Sequence, residues 1–487
     1  MRFYHSLLVA ALLAAATPAF SQDMPGMPMP APAKSQTAPA AKMDMDMAPP
    51  STFIQSILQH ESSGTSAEPI STPMAMLMTH RNGWQLMLHG EGFLADTQQH
   101  ATNSPASPFA CPAVAGVICP PAYRRGADKL FSTNWIMPMA QHKLGPHGQL
   151  TLRTMLSLEP ATISHGYYPE LFQQGETANG KPIVDGQHPH DFFMEVAALY
   201  DLHLGEKTLF SFYAAPVGDP AIGPTAYPHR QSASEDPIAA LGHHQEDSTH
   251  IAFNVLTAGL THGPVRIELS GFHGAEPTEA RWHFAPSPNG HALDSYSTRL
   301  TYAPTANISA QYSIAHITSP EALHLEDSQR RQTASVMYLR PFGAHHDTTS
   351  MPGMDMATPA TGSWSTTLLW GQTTSLTDNS HENSYLLESL LNFHARNAAQ
   401  QSIWTRIESA GRSTELYGPG LAPPQESPIG HLQAYTLGYD RDYKLAPHVR
   451  VAPGAQFTLY RSPDSLATIY GRHPIGAVAF LRFRIAN

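Results

Sequence analysis

The chain has no long apolar run, little charge and no excess of positive charge. No stretch reaches roughly eighteen consecutive apolar residues, so the sequence predicts no transmembrane helix. Charged residues make up only 14% of the chain, whereas about 25% is usual for a soluble domain. The 28 Lys and Arg are outnumbered by 39 Asp and Glu, and the resulting net charge of −11 argues against nucleic acid as a partner.

Cysteine is also scarce, with only Cys111 and Cys119 in the chain. The opening residues MRFYHSLLVAALLAAATPAFSQ combine a positive Arg2, an apolar run of about ten residues and small residues before Gln22. This pattern predicts a secretory signal peptide over residues 1–21, too short to span a bilayer as a helix. Because an exported chain meets oxidising conditions, we expect the two cysteines to form a disulfide.

Methionine and histidine, at 19 and 28 residues, stand out against this background. Residues 22–50 are mostly Pro, Ala, Met and Asp, so they cannot bury a core and are predicted to form a disordered Met-rich tail in the periplasm. Residues 51–82 are predicted to form a periplasmic or plug segment. Residues 83–487 are predicted to form a β-barrel.

The barrel prediction rests on runs of about ten residues in which apolar and polar side chains alternate. The sixteen runs are 83–94, 128–140, 148–158, 191–203, 207–215, 248–261, 264–274, 293–303, 307–317, 331–341, 363–375, 383–395, 401–410, 431–443, 448–460 and 476–485. Their polar faces carry isolated Arg and Glu among Ser, Thr and Gln, which is typical of an outer-membrane barrel with a polar lumen. We predict an all-β fold, a transmembrane antiparallel β-barrel of about sixteen strands.

The predicted lumenal face carries a set of isolated charges. They are Arg153, Glu195, Glu268, Arg299, Glu388, Arg406, Glu408, Arg482 and Arg484. In VRIELSG, for example, Arg266 and Glu268 oppose Ile267 and Leu269, which should face lipid.

The lengths of the links support the same topology. Links after even-numbered strands are short and links after odd-numbered strands are mostly long, as expected for short periplasmic turns and long outside loops. The exception follows the tenth strand, spans about 342–362 and contains MPGMDM. By this parity the long link and the Met-rich tail lie on the same, periplasmic side.

Methionine clusters in these two segments indicate soft-metal chemistry. The candidate ligands are Met24, Met27, Met29, Met43, Met45, Met47, Met351, Met354 and Met356. Thioethers select Cu(I) over hard cations, so we predict a copper ion as ligand; the alternative is that these methionines are incidental to low-complexity sequence.

A further run, PMAMLMTH, places Met74, Met76, Met78 and His80 on one face if it is extended. In the first strand, Met87 and His89 would face the lumen. A path of thioethers and imidazoles from the periplasm is one interpretation, and packing of a plug is the other.

Two His-rich stretches, DGQHPHDFF and LGHHQEDSTH, provide a second candidate site. Together with YPHR between them, these stretches offer the candidate ligands His188, His190, Asp191, His229, His243, His244, Glu246, Asp247 and His250. Imidazoles beside carboxylates can bind Zn(II) or Cu(II), whereas the alternative is that they satisfy loop backbone groups. Ser248 with His250 and Asp247 invites a hydrolase interpretation, but no glycine elbow surrounds the serine.

Three stretches carry a resemblance: PELFQQGETANGKPIVDGQHPHDFFMEVAALY, HRQSASEDPIAALGHHQEDSTHIAFNVLTAG and LDSYSTRLTYAP. They resemble a family of uncharacterised outer-membrane proteins of Gram-negative bacteria, from about residue 65 onward. The resemblance implies a membrane barrel with no assigned reaction. The Met-rich tail is similar in composition to that of the copper-resistance outer-membrane protein B family.

These observations predict a non-enzymatic outer-membrane barrel of a Gram-negative bacterium that binds or passes copper in metal tolerance. The alternatives are a passive porin for a small solute and, third, a lumenal hydrolase. The predicted partners are outer-membrane lipid, metal ions and a periplasmic metal carrier or efflux system.

Overall fold

Sixteen long antiparallel strands form a closed barrel in the computed structural model. In chain order they are β1 (Trp84–His100), β2 (Asp128–Leu144), β3 (Gly148–Leu156), β4 (Phe193–Gly205), β5 (Thr208–Gly218), β6 (Ala252–His262), β7 (Val265–His273), β8 (Ser295–Thr305), β9 (Ile308–Ile317), β10 (Gln329–Phe342), β11 (Gly362–Ser375), β12 (His381–His394), β13 (Gln400–Arg412), β14 (Gly430–Arg441), β15 (Val449–Arg461) and β16 (Ile475–Ile485). Each pairs with its neighbour in sequence, and β16 pairs with β1 to close the sheet. All sixteen predicted runs correspond to these strands, so the predicted barrel and its strand count are confirmed.

The structure describes residues 50–73, 76–102, 125–174, 177–247, 252–322, 324–343, 361–394, 399–413, 416 and 429–485. These residues belong to one compact unit that spans Met43–Asn487. The predicted signal peptide, the Met-rich tail, the two cysteines, Met351–Met356 and His250 lie outside the described residues, and what the sequence indicates about them remains prediction.

Short elements lie in the links of the described ranges. The helices are α1 (Phe53–Gln59), α2 (Glu159–Thr162), α3 (His243–Glu246) and α4 (Ala467–Tyr470), with a 3-10 turn at Ser164–Gly166. Short strands are Leu77–Arg81, paired with β1; Tyr443–Ala446, paired with β15; Tyr168–Pro169 with Gly186–Gln187; and Thr177–Ala178 with Lys181–Pro182. Among the described residues, no helix is both long and apolar enough to cross a membrane.

The two faces of the sheet differ as alternation requires. On β7, Ile267 and Leu269 are 53% and 62% exposed, whereas Arg266 and Glu268 are 3% and 0% exposed. An outward face that exposes aliphatic side chains in this way is suited to contact with lipid. Closure of the sheet also leaves no strand edge with unpaired backbone groups in the bilayer.

Exposed aromatic side chains border this apolar band at both ends of the strands. Tyr302, Trp364 and Tyr439 are exposed near one end, and Tyr296 and Tyr385 near the other. Two such girdles are typical of barrels whose rims lie at the two lipid–water interfaces.

The links follow the predicted alternation of short and long connections, except that the link from β11 to β12, residues 376–380, is short where a long one is expected. One end of the barrel, the short-link end, carries tight turns such as the two residues between His262 and Val265. Gly263 has a φ of 56° there, as the first position of a two-residue hairpin requires. At the same end, the link between β10 and β11 is the predicted exception, and most of it lies outside the described residues.

Two segments extend into the interior of the barrel. We call residues 50–73 the lumenal segment; its α1 helix begins with Thr52, whose side chain accepts a hydrogen bond from the Gln55 amide. We call residues 219–247, the link from β5 towards β6, the inner loop. Both contact the inward faces of the strands, so the interior is filled by protein over much of its length.

Candidate functional site

The interior wall carries the predicted ladder of charges. Eight of its nine members are at most 5% exposed: Arg153, Glu195, Glu268, Arg299, Glu388, Arg406, Glu408 and Arg482. The ninth, Arg484, is bonded to Glu91 and to Glu235. Buried charges are stable only when they are paired, and Glu268 illustrates this, because it lies 2.8 Å from the Arg299 Nε and 3.1 Å from an Arg266 Nη.

The inner loop supplies the partners for much of this wall. Arg230 donates from Nε to Glu388 on β12 at 2.9 Å and from Nη1 to Asp247 at 2.7 Å. Glu235 lies 2.7 Å from an Arg482 Nη. The loop and the wall therefore carry complementary charges, which fix the loop across the lumen.

Sequence reasoning did not single out these loop residues. Arg230, Glu235 and Asp236 lie in HRQSASEDP, which has no strand or helix periodicity. The available signal was that several charged residues lie close together in a link between two membrane strands. Their partners could not be read from the sequence, because Arg230 and Glu388 are 158 residues apart.

The lumenal segment is held by the opposite side of the wall. Arg153 on β3 donates to the carbonyls of His60 and Gly64, at 3.1 and 2.5 Å. The Gly64 amide donates to Glu195 on β4 at 2.8 Å. Because Arg153 also pairs with Glu195 at 2.6 Å, the strand pair and the segment share one network.

Two carboxyls of the lumenal segment are strongly perturbed. Burial raises the pKa of Glu61 to about 8, and the neighbouring Glu68 adds to the rise. Burial also raises the pKa of Glu68 to about 7, although Arg230 acts in the opposite direction. Both groups therefore titrate near neutral pH inside the barrel.

An acidic cavity of about 250 Å³ lies at the long-link end. It is lined by Glu276, Glu321, Glu326, Asp327 and Glu382, together with Arg331 and Arg412. Burial raises the pKa of Glu276 to about 8, and the nearby Glu321 carboxylate adds to this effect. This cavity, which we call the vestibule, has the size and polarity to hold a small hydrated solute.

Most candidate ligands of the His-rich stretches fall into two groups: three histidines that lie near one another, and side chains that form ion pairs. His188, His243 and His244 gather, with ring centroids 4.1 Å apart for His243–His244 and 6.4 Å for His188–His244. Burial lowers the pKa of His243 to about 3 and lowers the pKa values of His188 and His244 well below their usual range. These imidazoles are therefore neutral at physiological pH.

The side chains of the second group are engaged in ion pairs. Asp191 accepts from Arg281 at 2.9 Å, and Asp247 accepts from Arg230 at 2.7 Å. His190 contacts Glu159 at 3.0 Å; burial opposes a charged imidazole there, but the Glu159 carboxylate outweighs it and raises the pKa of His190.

Within the described ranges, no three His, Cys, Asp or Glu side chains come together in a way that could hold a metal ion. The zinc hypothesis for the His-rich loops therefore gains no support and stays a prediction. The contacts of Asp191 and Asp247 fit the alternative interpretation, in which these side chains fix the loops.

The predicted inward orientation of Met87 and His89 is confirmed, since both are buried on the lumenal face of β1. Met76 and Met78 are buried as well, and the register pairs Met78 with Met87 and His80 with Gln85, so Met78 and His80 share a face as predicted. His80 is nevertheless exposed, because the strand Leu77–Arg81 ends one residue further on, and Met74 lies outside the described residues.

Sequence reasoning missed four further methionines that lie beside these. Met137, Met139, Met155 and Met194 are all buried with Met76, Met78 and Met87 in one cluster. The register of β1 against β2 was the signal that could have found two of them. Met137 lies opposite His89 and Met139 lies opposite Met87, and residues directly opposite each other share a face.

Comparisons with known proteins concern the fold. No family model matches the chain, and no curated protein matches it. Solved structures that match include an anion-selective porin from Comamonas acidovorans, with 9% identity, a TM-score of 0.42 and coverage of 82% of this chain and 99% of that chain. OmpF of Salmonella typhi in complex with daunomycin matches with 8% identity and a TM-score of 0.43, over 84% of this chain and 100% of that chain. OprB of Pseudomonas putida matches with 11% identity and a TM-score of 0.45, over 83% of this chain and 94% of that chain.

These likenesses are too distant to add to the strand pairing described above. The family resemblances drawn from the sequence therefore stay predictions.

Proposed function

We propose that this chain is an outer-membrane channel of a Gram-negative bacterium that passes small polar solutes. The observation that carries the proposal is the division of the closed sheet into an apolar outer face and a polar inner face with buried Arg and Glu on most of its length. The apolar outer face of such a barrel is stable in contact with lipid, and its polar inner face can line a path for polar solutes.

The filling of the lumen supports a narrow path. The lumenal segment and the inner loop both bond to the wall, and the vestibule, a cavity of about 250 Å³, lies at one end. Wide aqueous pores leave lumenal charges solvated, whereas here Arg153, Arg230 and Arg482 are at most 2% exposed. The solute that passes is therefore small, or a segment moves to admit it.

Solute uptake by proteoliposomes tests the channel. Purified full-length protein in liposomes should admit neutral solutes of the smallest size and exclude larger ones, with protein-free liposomes as the control. Permeation no faster than in protein-free liposomes for every solute would contradict the proposal.

A second candidate, passage or binding of soft metal, has its own observation. Seven of the nine buried residues in one interior cluster are methionines, whereas interiors of membrane barrels are usually polar. Copper as the ion, with the Met-rich tail in the periplasm as its first ligand, is supported by the thioether content of both regions.

A strain test separates the two candidates. A strain that lacks this gene should become copper-sensitive if the second candidate is right. A gene copy in which the nine tail and link methionines are changed to Leu should restore copper tolerance only in part. Unchanged copper tolerance in the deletion strain would leave the channel for other small solutes as the better account.

A further inference from the structure

The methionine cluster lies on the interior wall formed by β1–β6 and includes residues that lie just before β1. Its members are Met76, Met78, Met87, Met137, Met139, Met155 and Met194, all at most 8% exposed, with Val217 and Phe253. Leu and Ile are common on the outward face of this same barrel, for example Leu269 and Ile267. Methionine also packs well in irregular interiors, so only the donor atoms that border this cluster can indicate a ligand.

Two histidines border the cluster. The His229 Nε2, from the inner loop, lies 3.4 Å from the Met155 Sδ. The rings of His229 and His89 have centroids 5.4 Å apart, and the Trp135 ring lies 5.0 Å from His89 and 4.4 Å from His229. The structure thus brings together two imidazoles and a thioether from β1, β3 and the inner loop.

One nitrogen of this group has no partner. The His89 Nε2 is buried and makes no hydrogen bond with any described residue. Buried polar atoms in proteins are nearly always bonded, so an exception calls for an explanation. A ligand that is bound at this nitrogen is one such explanation.

Space for a ligand exists at this nitrogen. A cavity of about 100 Å³ is lined by Met76, His89, Trp135 and His229, and its wall also carries Glu61, Glu68, Glu91 and Arg484. The volume exceeds that of one water molecule, about 30 Å³.

The donor atoms are suited to a soft cation. The His89 Nε2 makes no hydrogen bond with a described residue, so its position is open to a ligand. A thioether needs no deprotonation to bind a metal ion. Sulfur and imidazole donors prefer Cu(I), and by extension Ag(I), over hard divalent cations.

We propose that Met76, His89 and His229, which line this cavity, form a binding site for one monovalent soft cation, Cu(I) or Ag(I). The site deepens the second candidate function, on which its physiological meaning rests. Because it joins β1 to the inner loop, a bound ion would also link that loop to the wall.

The test measures Cu(I) bound by full-length protein against a competing chelator. The background protein carries Leu at the nine predicted tail and link ligands, so that only interior donors remain. The changed positions are Met24, Met27, Met29, Met43, Met45, Met47, Met351, Met354 and Met356. The background should bind one Cu(I) or one Ag(I) per chain, and should not bind Zn(II) under the same conditions.

The double variant His229→Gln with Met76→Leu removes two donors that line the cavity and should lose this ion. Met139→Leu is the matched control, because Met139 belongs to the same cluster but does not line the cavity, and it should retain the ion. Heat-dependent migration of the barrel on gels, measured for each protein, ensures that only folded barrels are compared.

Three results would overturn the proposal: no ion bound by the folded background, an ion retained by the folded double variant, or equal binding of Zn(II). Solute uptake measured on the same preparations separates this site from the channel. Loss of the ion with unchanged uptake supports the site, whereas absent uptake with an ion bound would contradict only the channel.

Discussion

The interior wall of the barrel has two chemically different regions. The ionic region, on β7–β16, presents Arg and Glu side chains that pair with the inner loop. The thioether region, formed by β1–β4 and by residues 76–78 just before β1, presents seven methionines. The first fixes a segment of chain by charge pairs with defined directions, whereas the second offers flexible, polarisable side chains that can adapt to a neighbour or an ion.

The difference predicts a contrast in the cost of substitution. Removing one partner of a buried ion pair leaves an uncompensated charge and costs about 3–5 kcal/mol. Replacing a buried Met with Leu conserves volume and usually costs under about 1.5 kcal/mol. The two regions therefore respond differently to changes of similar size.

The largest effect is expected for Arg230→Met. This change leaves Glu388 and Asp247 buried without their guanidinium partner, and should lower the free energy of unfolding by about 3–5 kcal/mol. The measurement is urea unfolding of the reconstituted protein, with protease cleavage within residues 219–247 as a local readout.

Arg472→Met is its control, because Arg472 pairs with Asp464 on the surface, where both side chains are mostly exposed. Surface pairs contribute about 0–1 kcal/mol. Equal losses for the two arginines would mean that the inner loop is not held by charge.

Arg153→Met tests the boundary between the two regions. Arg153 faces Glu195 and also donates to two carbonyls of the lumenal segment. Its loss should cost about 3 kcal/mol and release the lumenal segment, so that residues 50–73 become accessible to protease from the short-link end. A segment that stays protected would contradict the role given to this arginine.

Stability should depend on pH through Asp219, at the start of the inner loop. Burial raises the pKa of Asp219 to about 7, and the Glu195 charge adds to the rise. The folded state then binds more protons than the unfolded state between about pH 4 and 7, so the free energy of unfolding should fall as pH rises through this window.

Asp219→Asn, which stays neutral, should remove this part of the slope in urea unfolding measured from pH 4 to 8. Asp378→Asn is the control, because hydrogen bonds from Ser380 lower the pKa of Asp378 and place its titration below this window. A slope that persists in Asp219→Asn would assign the effect to other groups.

The smallest effect is expected for Met155→Leu. Met155 lies two residues from Arg153 on the same strand and faces the same interior. The change should lower the free energy of unfolding by under about 1.5 kcal/mol. A loss as large as that of Arg153→Met would remove the distinction between the two regions.

Much of the ionic region could be predicted from the sequence, and much of the thioether region could not. A period of two along a strand places Arg406 and Glu408 on the side opposite Ile403 and Ile407, so the inward charges followed from local pattern alone. A methionine in the same position reads as an ordinary apolar residue, and Met155 was therefore assigned no role.

Contacts made by the links were beyond the reach of local patterns. Arg230 finds Glu388 only because the inner loop turns into the barrel, and His229 finds Met155 for the same reason. Periodicity describes strands, whereas a folded loop is determined by long-range pairing that a single sequence does not specify.

The most direct test of the channel is single-channel conductance of the intact protein and of a variant lacking residues 51–73. The account predicts small conductance steps for the intact protein, because two segments fill its interior, and steps several times larger for the variant, because one of them is gone. Stable, folded barrels that show no conductance with or without the lumenal segment would contradict it.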